Sequence, residues 1–148
     1  VRKYILALAM GFLAITTSGC AAPPPPPHHP AYLQALSELR TSRWLIEHRR
    51  PSDPTQSVDE VEAVRQIDAA ISDLKQAAYD DGKNLNDHPP VEDTGEWRGR
   101  LHNALDHLNR AHSEIAREED NAYASGLRGR ALGHLDAAIN ATRRAIGS

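Results

Sequence analysis

From Tyr32 onward the apolar residues recur at helical spacing. Tyr32, Leu36, Leu39, Arg43 and Ile46 fall along one face, with Ala35 and Ser42 beside them, and this predicts a first helix that stops before Pro51. Ser57, with Glu60 three residues later, has the spacing of a capping box and predicts the start of a second helix. That helix carries Val64, Ile67, Ile71, Leu74 and Ala78 and ends near Gly82. Pro89 and Pro90 mark residues 82–93 as a loop, after which Thr94 is placed to cap a third helix with the stripe Trp97, Leu101, Leu105, Leu108, His112 and Ile115. A short acidic connection, Glu118 to Asn121, leads to a fourth helix with Leu127, Ala131, Leu135, Ala138, Thr142 and Ala145 inward.

The two halves repeat. Ile67-Asp68-Ala69-Ala70-Ile71 in the second helix matches Leu135-Asp136-Ala137-Ala138-Ile139 in the fourth, an offset of 68. Ala35, Leu36, Leu39 and Ile46 in the first helix match Ala104, Leu105, Leu108 and Ile115 in the third, an offset of 69. Two independent helix pairs agreeing to within one residue indicate a duplication. A hairpin that cannot bury its apolar face alone, present twice, predicts an all-α four-helix bundle: hairpin 1 over 31–81, the loop over 82–93 and hairpin 2 over 94–148. The bundle is either closed within one chain or formed by hairpins exchanged between two chains.

Ahead of this domain the pattern changes. Arg2 and Lys3 precede a short, mostly apolar stretch, Tyr4 to Thr17, too short for a spanning helix and suited to a signal peptide over residues 1–19. Thr17-Ser18-Gly19-Cys20 resembles the bacterial lipoprotein signal box, with Thr17 where the family usually has Leu. The resemblance implies a lipidated Cys20 as mature N-terminus, a membrane anchor through that lipid, and, with Ala21 after it, an outer-membrane destination. Residues 20–30, with Pro23 to Pro27 and Pro30, read as a stiff spacer of roughly 3 Å per residue. His28 and His29 belong to it.

Charge and composition remove several function classes. The net charge is −3, and more acidic once Arg2 and Lys3 are removed, so the chain has no long-range attraction for nucleic acid. The only Cys, Met and Phe are Cys20, Met10 and Phe12, which leaves the domain no disulfide, thiol nucleophile, Cys-ligated zinc or Met-ligated haem. No Glu has His three residues later, so the ferritin-like di-iron pattern is missing. Asp80 to Asp87 is rich in oxygen ligands without the order of a calcium-binding helix-loop-helix. No nucleophile, base and orienting group stand out as a set, and the expectation is a protein that is not an enzyme.

The candidate chemistry therefore rests on polar residues placed on helix faces. His102 and Asp106 stand four apart, a spacing shared by an exposed ion pair and by a two-ligand metal site. His107 and His134 flank the stripes of their helices. Arg43 and His112 are repeat partners and project into matching apolar stripes, where a charge needs a partner, water or an open bundle end. A polar pocket or metal site is the functional alternative there. Asp68 and Asp136, also repeat partners, read as flank contacts between helices. Trp44 projects outward, either as a partner anchor or packed on its own neighbours. Gly129, Gly133, Ala137 and Ala141 lie four apart opposite the core of the fourth helix, a small-residue face suited to close approach of another helix.

In overall plan the domain resembles small exported helical-hairpin proteins of bacteria. Ala-Leu-x-His-Leu at Ala104 to Leu108 and Ala-Leu-Gly-His-Leu at Ala131 to Leu135 are similar to periplasmic small metal-binding proteins built from His-rich helical repeats, although repeat 1 has no His at either matched position. Two expectations follow. One is a non-catalytic envelope lipoprotein, without cofactor, that binds a protein partner or itself. The other is a protein that binds or buffers a divalent metal through His102, His107, His112, His134 and nearby Asp.

Overall fold

The computed structural model describes residues 30–78, 91, 95–118 and 124–148. It is an all-α four-helix bundle: α1 (Pro30–Glu47), α2 (Val58–Ala77), α3 (Trp97–Arg117) and α4 (Ser125–Gly147). Cys20, the spacer histidines, Asp80 to Asp87, Gly82 and Thr94 lie outside the described residues. None of the described helices is long and apolar enough to cross a membrane.

Local chemistry sets the helix ends. Pro30, expected as the last residue of the spacer, is the first residue of α1, a position where its missing N–H would have no intrahelical partner anyway. The capping box at α2 is complete: the Glu60 N–H donates to Ser57 Oγ at 3.2 Å, and the Ser57 N–H donates to Glu60 Oε2 at 2.6 Å. Before α3, Gly95 has a φ of 145°, which a side chain would strain, and the N-cap position belongs to Glu96. The last carbonyls of α3 are satisfied by Arg128, whose guanidinium donates to Ile115 O at 3.0 Å and to Ala116 O at 2.7 Å.

The most extensive packing is between repeats, α2 on α4 and α1 on α3, with smaller contacts within each hairpin; α1 and α4, and α2 and α3, are diagonal and do not pack along their lengths, although Trp97 at the start of α3 reaches Glu60 in the first turn of α2. Cross-helix bonds show that every neighbouring pair is antiparallel. Glu38 meets Arg110 while Ser42 meets Ala104 across α1 and α3, and Asp59 meets Arg144 while Asp73 meets Arg130 across α2 and α4. The diagonal helices α2 and α3 are therefore parallel, and the connection between residues 78 and 95 joins opposite ends of the bundle.

In α1 every expected position except Arg43 is inward, whereas in α2 and α3 the core differs in rotation from the stripes expected. Alanine fills its tightest positions: Ala35, Ala63, Ala70, Ala104, Ala111 and Ala138 are fully buried, alternating with Leu36, Leu39, Ile67, Leu74, Leu108 and Leu135. Val64, Ile71 and Leu105 sit on the flanks. Ser42 and Ala111, each one residue before the expected Arg43 and His112, point inward, and Ser42 Oγ donates to Ala104 O at 3.0 Å. The reason is steric: close approach of paired helices selects the smallest side chains for the centre and leaves larger ones to the rim. The stripe expected for α4 is inward at every position.

Candidate functional site

Arg43 and His112 do not share an interior pocket. Their side chains are 40% and 37% exposed, on different hairpins. Arg43 Nε donates to Asp68 Oδ1 at 2.7 Å and its guanidinium also reaches Glu47 at 2.7 Å, while His112 Nε2 lies 3.3 Å from Asp136 Oδ1. Because Asp68 and Asp136 are themselves repeat partners, one contact occurs twice, once in each hairpin.

The remaining histidines also go to separate places. His107 Nδ1 lies 2.6 Å from Glu38 Oε2 between α1 and α3, and His134 Nδ1 lies 2.7 Å from Gln66 Oε1 between α2 and α4. His102 and Asp106 are exposed on α3 and form no ion pair with each other among the described residues. No group of three His, Cys, Asp or Glu able to hold a metal ion occurs among the described residues. Among the described residues each of these histidines stands with at most one acidic or amide group within hydrogen-bond distance, where a zinc ion takes three or four ligands.

On the glycine face of α4, a Cβ at Gly129 or Gly133 would meet nothing within 4 Å, so no described helix packs against it. Ala137 is half-buried and Ala141 fully buried, which corrects the expected four-residue face. Steps of four residues advance 400°, so each turns the row by 40° and three steps carry it from solvent into the core.

Two features remain with the shape of a site. The first is a groove of about 410 Å³ lined by Arg40, Arg43, Trp44, Glu47, Asp68, Ile71 and Val91. Trp44, Ile71 and Val91 form its apolar part, and the Arg43 contacts to Glu47 and Asp68 form a charged rim. Trp44 is partly buried and stacks on His48, one turn later, with centroids 4.1 Å apart and planes at 12°. The ring is thus held by its neighbour and still lines the groove. Its volume lies in the range of small-ligand clefts.

The second is a charged cluster, not foreseen from the sequence, where the α1–α2 turn meets the start of α3. Glu60 is 1% exposed and accepts from Trp97 Nε1 at 2.9 Å, from Arg49 and from the Ser57 N–H. Arg100, also 1% exposed, donates to Asp53 and to Gly95 O, and Asp53 accepts the Arg50 N–H at 2.8 Å. Burial pushes Glu60 up, but hydrogen bonds from Ser57 and Trp97 and the Arg49 charge hold it below the ordinary carboxylate value. The Arg50 N–H, and next the Arg100 guanidinium, lower Asp53 against its desolvation. Each side chain here is bonded to at least one other, which ties the α1–α2 turn to the start of α3, and Arg49 Nε is buried with no hydrogen-bond partner. The sequence signal was present: Arg100 stands one turn before Ala104 on the inward face.

No protein-family model, curated protein or solved structure matches the chain.

Proposed function

We propose that the chain is a bacterial lipoprotein exported to the cell envelope, anchored through Cys20, whose helical domain acts as a non-catalytic interaction module.

 The groove carries this reading: an aromatic ring, Trp44, held in place by His48 and flanked by Ile71 and Val91, inside a rim of fixed charge. Such an amphipathic surface suits a protein partner, with an aromatic anchor at its centre. Two further points support it. The lipoprotein-like box ending at Cys20 gives the chain a route to a membrane, and the charged side chains of the helical domain are engaged in pairs that join helices.

The test places a photo-crosslinking amino acid at Trp44 in the full chain expressed in a Gram-negative host, with radiolabelled palmitate to follow Cys20. Label incorporated in the parent chain and lost in Cys20→Ser, together with one discrete crosslinked adduct that disappears in Ile71→Arg, is the expected result. Absence of label overturns the anchor. An unchanged adduct pattern in Ile71→Arg overturns the groove.

A further inference from the structure

Six charge contacts between the hairpins, among the described residues, share one direction. Glu38 meets His107 and Arg110, Asp53 meets Arg100, Asp59 meets Arg144, and Asp73 meets Arg130 and lies near His134. In each of these pairs the acid comes from hairpin 1 (α1 and α2) and the base from hairpin 2 (α3 and α4).

The repeat explains why this matters. Glu38 and His107 are equivalent positions, 69 apart, and so are Gln66 and His134, 68 apart. Each pair touches across the bundle, at 2.6 and 2.7 Å. Residues that meet their own equivalents lie on the approximate twofold axis, as in an interface between two identical subunits. Here the two copies at each axis position differ and complement one another. A second hairpin 1 in the place of hairpin 2 would set Glu38 against Glu38 and, by the same offset, Asp73 against Glu62. Two copies of hairpin 2 would bring His107 to His107 and leave Arg130 opposite Ala141 and Arg144 opposite Leu127. Like pairings therefore carry repulsion or unmatched charge, and only the unlike pairing is complementary.

We propose that the bundle is a heterodimer of hairpins within one chain, in which hairpin 1 selects hairpin 2 by charge, and that hairpin 2 of a second copy of this chain is the partner hairpin 1 takes when its own is out of reach. This goes beyond the groove and does not depend on it. The connection permits the exchange, because α2 and α3 are diagonal rather than packed side by side and the chain between them has to join opposite ends of the bundle.

The first test inserts a site-specific protease sequence between Asn86 and Asp87 of the full chain and cuts after folding. Cut protein is mixed with an isotope-labelled cut preparation and read by native mass spectrometry. One-to-one pairs of hairpin 1 with hairpin 2, including pairs assembled across the two preparations, are expected; separated halves or pairs of like hairpins overturn the proposal. In the cut protein Glu38→Lys weakens the pairing about tenfold, and Arg110→Glu added to it restores most of the loss. Equal loss in the single and double variants means that charge does not select the partner.

A second test uses the uncut chain. Deleting residues 81–90 leaves a link that reaches about 25 Å at full extension, short of the roughly 30 Å length of α2. Light scattering is expected to find a helical dimer. A folded monomer overturns the exchange, and if this variant does not fold, the cut chain decides.

Discussion

Glu60 joins three parts of the chain: the α1–α2 turn through Arg49, the first turn of α2 through Ser57, and the start of α3 through Trp97. Glu60→Leu removes the acceptor and leaves the Arg49 guanidinium, 20% exposed, without its carboxylate. The expected loss is about 3 kcal/mol in urea unfolding, the scale of breaking one side of a buried pair, with a shift in Trp97 fluorescence. A pH dependence follows from the same group and from Glu38. Burial raises the pKa of Glu38, but hydrogen bonds from His107, Arg110 and Gln34 outweigh it, so both carboxylates sit below the ordinary 4.5 when folded. A group whose pKa is lower in the folded state contributes stability that is fully present above its unfolded pKa and is lost as pH falls through the folded one. The melting temperature is therefore expected to hold from neutral pH down to about 5 and to fall below about 4.5. In Glu60→Gln the acid fall becomes shallower, and an unchanged slope shows that Glu60 does not drive it.

Alanine decides how closely the helices pair. Ala104 is fully buried and its carbonyl accepts from Ser42, so Ala104→Leu forces α1 and α3 apart at their tightest point; a loss of about 2 to 3 kcal/mol in chemical unfolding is expected. Gly133→Ala, on an open face of α4, is expected instead to stabilise by about 1 kcal/mol. A destabilised Gly133→Ala would mean that this face is covered. These alanines also show what periodicity left unread. Helix number, the Ser57–Glu60 box, the inward face of α4 and the duplication were all legible, because each depends on spacing within a short window. The stripe of α3 was rotated by giving Leu105 and His112 more weight than Ala104 and Ala111, although size governs the centre of a close pair. In the cluster of Asp53, Glu60, Trp97 and Arg100 the inward place of Arg100, one turn before Ala104, could be read, but its partners are brought together only by the path of the chain. The axis contacts were closer to hand: the offset of 69 already matched Glu38 with His107, and a duplicated bundle brings some equivalent positions face to face.

At the scale of the whole molecule, the two ends of the bundle differ. The Ala31 N–H donates to Glu118, so the chain enters α1 beside the end of α3, whereas Asp53, Glu60, Trp97 and Arg144 lie at the other end. If Cys20 is the anchor, as proposed, a stiff spacer would hold the entry end toward the membrane and the cluster end away from it by the length of α1, about 27 Å. Val58, 86% exposed, is at the far end, and Gln76, also exposed, is at the near end of the same helix. Since Cys20 is the only cysteine, Val58→Cys and Gln76→Cys each add a single labelling site to the lipidated chain. In vesicles with a quencher at the headgroup level, a fluorophore at position 76 is expected to be quenched more strongly than one at position 58, and Cys20→Ser is expected to abolish quenching at both. Equal quenching at the two sites in the lipidated chain would show that the spacer does not orient the bundle, and the far end would then have no special claim to be the surface presented to partners.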